Sequence, residues 1–291
     1  MKNAGGLNAF PLRAIAAEAA AAFNSGNHRV PPFTARHPGL TMDDAYRVTA
    51  LAHETRLAQG YKPVGRKIGF TNRRLWDEYG VRAPIWGYVY DRTLHDLATP
   101  LPLAPYSAPK IEPEIMFGLA KAPAPGMDDT ALLDCVDWVA HGYEIVQSIY
   151  PDWKFSAPAT VIAEAMHGAL LIGPRHEVGA NANGWLRTLT SFEIELLCDG
   201  KLMDKGHALN VLEGPVSTLR YLIGLLARDP DNARSGPGVI YQWCPDGLLK
   251  APAVTEKLGV LVTARNWNTV TRILLPLVDF PTVQVSTQLP G

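Results

Sequence analysis

The sequence predicts an α+β protein: a helical N-terminal part, residues 1–63, followed by a mixed, mainly antiparallel and curled sheet region, residues 64–291, the two read as one continuous domain. Three observations lead there. The first sixty residues hold two long helical patterns. After them, short runs rich in β-branched and aromatic residues recur, and they do not alternate cleanly with helices, so a doubly wound sheet fits poorly. No glycine-rich phosphate loop follows any strand-like run.

Taken in order, residues 8–24 read as a helix built mostly on alanine, and "NHRVPPFTARHPGL" as an extended, proline-marked arm. "TMDDAYRVTALAHETRLAQG" reads as a second helix. Thr41 and Asp44 have capping-box spacing, Ala45, Val48, Leu51 and Ala52 form its apolar face, and Gly60 ends it. "VGRKIGF" is a strand, Thr71 caps a short helix over "NRRLWDEYG", and "IWGYVYD" is a second strand. A proline-rich passage leads to the strand "PKIEPEIMFGLA". "MDDTALLDCVDWVAHG" reads as a helix capped by Asp128 or Asp129 and ended by Gly142. "YEIVQSI" and "HGALLIG" are strands, and "SFEIELLCDGKLMDKG" is a hairpin turning at Asp199–Gly200. "GPVSTLRYLIGLLARD" is a helix with proline in its first turn, "PDNARSGPG" a loop, and "KLGVLVTARNWNTVTRILLPL" a hairpin.

Composition narrows the function. Hydrophobic residues make up 47% of the 291 and charged residues 19%, enough for a real core. A formal net charge of −1 lacks the basic stripe of a nucleic-acid surface and offers nothing to an anionic membrane. Cys135, Cys198 and Cys244 are odd in number and far apart, without metal spacing, so reduced thiols in a cytoplasmic protein are expected. No signal peptide and no bilayer-length apolar run is evident.

Within "KIEPEIMF" two glutamates stand two positions apart. On a strand they share a face with Met116 and Gly118, while Ile111, Pro113, Ile115 and Phe117 share the other. Such a pair also fits an acidic edge in water. Two carboxylates this close repel, however, unless a positive charge lies between them, and a hard cation such as Mg²⁺ or Mn²⁺ takes oxygen ligands. Glu144 is the candidate third ligand, or else a strand-end charge. Lys67 lies mid-strand between Gly65 and Gly69, which suits close approach of a ligand and equally a bulge beside a surface lysine. His141 and His167 are isolated, and no nucleophile elbow is present.

Together the segments "LTMDDAYRV", "GRKIGFT", "WGYVYD", "KIEPEIMFGL", "HGYEIVQSIYPDWKF", "HGALLIG" and "ALNVLEGPVSTLRYL", in that order, resemble the 2-keto-4-pentenoate hydratase family, in the hydratase/decarboxylase branch of the fumarylacetoacetate hydrolase superfamily. The similarity runs from near Pro31 to near Arg228. It implies the superfamily's mixed β-roll, a homo-oligomer, and Mg²⁺ or Mn²⁺ held by Glu112, Glu114 and Glu144. It implies Lys67 and Asp91 as an acid–base pair near a small 2-oxo acid substrate, with Lys154 and Ser148 binding that substrate. Hydration of 2-hydroxypenta-2,4-dienoate to 4-hydroxy-2-oxopentanoate is the implied reaction. Decarboxylation of a 2-oxo-dicarboxylate and hydrolysis of an acylpyruvate use the same metal chemistry and stay open, as does an inactive metal- or partner-binding relative. Two departures from the family pattern stand out: Gln147-Ser148-Ile149 after the third ligand, and bulky Tyr241, Gln242 and Trp243 where the family has a small-residue turn. Residues Tyr241 to Cys244 are expected along the pocket wall.

Overall fold

The computed structural model describes residues 10–25, 29–179, 181–198, 201–228, 253–254, 262–264 and 283–286. Helix α1 (Leu12–Asn24) buries Ile15, Ala16, Ala19, Ala22 and Phe23, a stripe at helical spacing. The expected extended arm contains one short helix, α2 (Phe33–Arg36), whose Phe33 is fully buried. Helix α3 (Met42–Ala58) starts at the expected capping box. The Thr41 hydroxyl accepts from the Asp44 amide at 3.2 Å, and the Asp44 carboxylate accepts from the Thr41 amide at 3.1 Å.

Strands β1 (Pro63–Gly69) and β2 (Ile85–Tyr90) form an antiparallel pair that sets Lys67 opposite Gly87. Between them, a 3-10 turn at Arg73–Leu75 runs into α4 (Trp76–Tyr79). The cap here is Asn72 rather than Thr71: its Oδ1 accepts from the Arg74 amide at 3.0 Å. After β3 (Leu94–Asp96) comes β4 (Lys110–Leu119), the strand of the two glutamates.

The helix expected over residues 127–142 is cut short. Asp128 caps α5 (Asp129–Leu133), only five residues long, and β5 (Val136–Val146) runs unbroken through the segment read as two elements. Strand β5 pairs on both sides, with β4 and with β6 (His167–Glu177), and this two-sided pairing overrides local helix propensity. Helix α6 (Ala157–Ile162) lies between β5 and β6, and α7 (Ala182–Ser191) precedes the expected hairpin of β7 (Glu193–Cys198) and β8 (Lys201–His207). Helix α8 (Pro215–Leu226) begins on its proline. The described remainder is β9 (Ala253–Val254), β10 (Val262–Ala264) and β11 (Val283–Ser286).

Among the described residues the main sheet has the order β3-β6-β5-β4-β10-β9, antiparallel except at β3–β6 and β4–β10, and a smaller sheet has the order β11-β7-β8. Helices preceding mixed, mainly antiparallel sheets are the expected α+β architecture. The N-terminal helices share one apolar cluster with residues 146–166, in which Ile15, Phe23 and Val48 pack with Ile149, Val161 and Met166. No described helix is long and apolar enough to cross a membrane.

Candidate active site

Cross-strand register builds the site. In the β4–β5 ladder Glu112 stands directly opposite Glu144, and Glu114 opposite Gly142. Directly opposed residues project to the same face, and so do residues two apart on one strand, so the three carboxylates converge. One oxygen from each lies within 4.8 Å of the others, and all three side chains are buried. Gly142 is required at its position: a Cβ there would collide with the Leu171 carbonyl of β6 and lie 2.7 Å from the Met116 Cε.

Three carboxylates this close and out of water repel one another unless cations share the space. Lys67 Nζ donates to Glu144 Oε2 at 2.6 Å and to the Ala165 carbonyl at 2.7 Å. On the other side, His167 Nδ1 lies 2.5 Å from Glu144 Oε1, and His167 Nε2 lies 2.8 Å from the Thr93 hydroxyl. That hydroxyl donates its own proton to the Tyr90 carbonyl at 3.0 Å, so Nε2 is the donor to Thr93. A set of buried oxygen donors with no thiolate among them fits a hard divalent cation.

A cavity of about 40 Å³ opens beside the cluster, lined by Lys67 and Glu112 and walled by Phe70, Leu75, Ile85 and Met166. The turn under Lys67 is unusual. Glu164, Ala165 and Met166 all have positive φ, at 50°, 51° and 64°. Left-handed backbone costs a residue with a side chain about 1–2 kcal/mol. Gly87, across from Lys67, makes room for this turn, since a Cβ there would lie 2.9 Å from the Ala165 Cβ.

The side chains of the other expected site residues have local partners instead. Asp91 follows β2, four residues beyond the partner of Lys67, or about 13 Å along the strand. Its Oδ1 accepts from the amides of Lys62 at 2.9 Å and Arg92 at 3.0 Å. These bonds, Lys62 first, hold its carboxyl below the usual carboxylate range. The carboxylate that Lys67 meets is Glu144, not Asp91. Ser148 is buried, and its hydroxyl donates to the Tyr150 carbonyl and accepts from the Tyr150 amide, closing a local turn. The Lys154 side chain is 81% exposed and pairs with Asp152 at 3.6 Å. Tyr241 to Cys244 lie outside the described residues.

Sequence reasoning missed His167, which looks like a lone strand residue and meets Glu144 only through sheet pairing. It also missed Gly87, where a glycine between Trp86 and Tyr88 was the available signal.

No family model matches the chain. It is 34% identical over 198 residues to a 2-hydroxyhexa-2,4-dienoate hydratase of Comamonas testosteroni, covering 67% of this chain and 73% of the relative. It is 30% identical over 229 residues to a 4-oxalocrotonate decarboxylase of a Pseudomonas species, covering 77% and 87%. The chain belongs to the 2-keto-4-pentenoate hydratase family. The fold agrees. A solved 4-oxalocrotonate decarboxylase from Pseudomonas putida G7, complexed with magnesium and adipate, superposes with a TM-score of 0.71 at 24% identity, over 79% of this family member and 85% of that chain.

Proposed function

We propose that this chain is a divalent-metal-dependent hydro-lyase that adds water to a 2-hydroxydienoic acid, such as 2-hydroxypenta-2,4-dienoate, giving the 4-hydroxy-2-oxo acid. The observation that carries the reading is the buried convergence of Glu112, Glu114 and Glu144 with Lys67 bonded to the third of them. Several relatives are named as hydratases of such acids. Cytoplasmic location and a homo-oligomer belong to the same reading and rest on family likeness.

Glu112, Glu114 and Glu144 would hold Mg²⁺ or Mn²⁺. Bound there, the cation supplies a Lewis acid for the carboxylate and C2 oxygen of the substrate. Lys67 moves the protons. An ammonium has three donors; two of them meet Glu144 and the Ala165 carbonyl, and the third is available to a substrate in the adjoining cavity. Phe70, Leu75, Ile85 and Met166 give that cavity an apolar wall suited to the hydrocarbon part of the substrate. His167 holds the second oxygen of Glu144 and fixes its direction.

A second reading is decarboxylation of a 2-oxo-dicarboxylate, favoured by relatives named 4-oxalocrotonate decarboxylase. The test is incubation of purified protein and Mg²⁺ with 2-hydroxypenta-2,4-dienoate, with 4-oxalocrotonate and with an acylpyruvate. Loss of dienol absorbance, fastest of the three, is the expected result. Faster CO₂ release from 4-oxalocrotonate would replace the hydratase by the decarboxylase. Turnover of none, with metal bound, would sink the enzyme reading.

A further inference from the structure

Lys67 sits where it does because of a turn that should not be stable by itself. Its second acceptor is the Ala165 carbonyl, which belongs to the left-handed run Glu164–Met166. Three successive non-glycine residues in that region persist only when their surroundings over-determine them. The backbone of the turn is bonded at its end: the Met166 amide donates to the Ala163 carbonyl at 2.7 Å, and the Gln147 amide to the Met166 carbonyl at 2.9 Å. The side chain at its start has a stronger partner.

Glu164 reaches out of the turn to Arg56 on α3. The guanidinium grips it with two nitrogens: Nε to Oε1 at 3.2 Å, Nη2 to Oε1 at 2.9 Å and Nη2 to Oε2 at 3.0 Å. Both side chains are mostly buried, 12% and 13% exposed. The guanidinium also lies over the Tyr61 ring at 4.9 Å. A two-pronged, charge-assisted pair shielded from water is among the strong polar contacts and fixes direction as well as distance. Neither residue reaches the three carboxylates. Both connect to the site through a chain of contacts: Arg56 to Glu164, then the Ala165 carbonyl, Lys67 Nζ and Glu144.

We propose that Arg56 and Glu164 form a positioning pair: they fasten the left-handed turn, and the turn's Ala165 carbonyl sets Lys67 on Glu144. The inference deepens the proposed reaction and rests on Lys67 acting in it. Its test must therefore include a readout that needs no turnover.

Trace acetylation of the metal-free protein with acetic anhydride, followed by mass spectrometry of the Lys67 peptide, measures how open that amine is. In Glu164→Gln, and in Arg56→Gln, labelling of Lys67 is expected to rise about tenfold, while Lys62, Lys110 and Lys154 change by less than about twofold. The double variant should label no faster than either single one, because the two residues act as a unit. With dienoate and saturating Mg²⁺, kcat should fall about 10–100-fold, with KM and Mg²⁺ affinity within about threefold. Should the neutral variants not fold, Arg56→Lys keeps the charge but loses the fork, and about a threefold rise at Lys67 is expected. Lys67 labelling equal to the parent, or a rise shared by every lysine, would overturn the proposal. If the parent consumes no dienoate, the proposed function fails, and the labelling result still decides this inference.

Discussion

The two faces of the β4–β5 ladder are buried alike and held by different forces. On one, Ile111, Ile115 and Phe117 of β4 pack with Tyr143 and Ile145 of β5 inside one extended apolar cluster. On the other, Glu112, Glu114 and Glu144 crowd together beside Lys67 and His167. The first face gains free energy from leaving water. The second loses it, because buried like charges repel and are poorly solvated. Burial alone therefore says little about what a strand face is for. The two faces differ in what fails when a side chain is removed: stability on one, chemistry on the other.

The largest expected effect is on chemistry. Lys67→Met removes the proton carrier and leaves the carboxylates in place, so turnover should fall by about 10²–10⁴-fold, the usual range for one acid–base group. Added Mg²⁺ should not restore it. Near-normal consumption of the dienol would remove Lys67 from the mechanism. The apolar face gives the converse result. Phe117→Ala empties a fully buried site and should cost about 3–5 kcal/mol in denaturant unfolding. Mg²⁺ affinity of the molecules still folded should stay at the parental value, and a large loss of affinity would show that the faces are not independent.

A smaller effect sharpens the contrast. Glu114→Gln keeps the shape and removes one of three repelling charges. Mg²⁺ affinity measured by calorimetry should drop about 100-fold, since hard cations depend on anionic oxygens. High Mg²⁺ should recover part of the activity by mass action. Without metal, the variant should be more stable than the parent by about 0.5–2 kcal/mol, the common gain when a functional strain is relieved. Unchanged Mg²⁺ affinity would make "EPE" an ordinary acidic edge.

The period of two in β4 made both glutamates legible, because face alternation is a local property of a strand. Glu144 was legible as a candidate for the same reason, but its place opposite Glu112 depends on pairing across residues 112 and 144. What escaped the sequence was non-local or locally misleading. Gly65 and Gly69 drew attention to Lys67, yet the glycine that clears the space is Gly87 on the partner strand. "AEAM" consists of good helix formers, yet its last three residues are left-handed, and Arg56, Gln147 and Lys67 bind the turn from distant parts of the chain. Leu133 ends α5 where the pattern continued, because sheet pairing on both sides claims Val136 onward. Asp91 is acidic and correctly spaced after β2, and its carboxylate is used by the backbone of its own turn.

The smallest effect compares two histidines, one on each face. His167 meets a carboxylate. His141 lies on the apolar face of β5, paired with Ile115, and among the described residues its Nε2 has no hydrogen-bond partner. Burial, and then the neighbouring His176, lower the His141 pKa to about 4. The unfolded chain protonates the same imidazole near pH 6.5. Between these values the unfolded state binds the extra proton, so acid favours unfolding there. The stability tied to neutral His141 is full above about pH 6.5 and is lost as the pH falls toward 4. Allowing for partial exposure, the loss should be about 1–2 kcal/mol. His53, lowered to about 4 by burial and then by Arg66, adds a loss of the same sign. Replacing His141 by leucine should therefore remove part of the acid sensitivity, while stability at pH 7.5 stays equal or rises. Thermal unfolding of parent and His141→Leu at pH 4.5 and 7.5 measures this directly. An acid-induced drop in Tm of the same size in both proteins would mean that the apolar face tolerates the charged imidazole, and the contrast between the two faces would be weaker than their burial suggests.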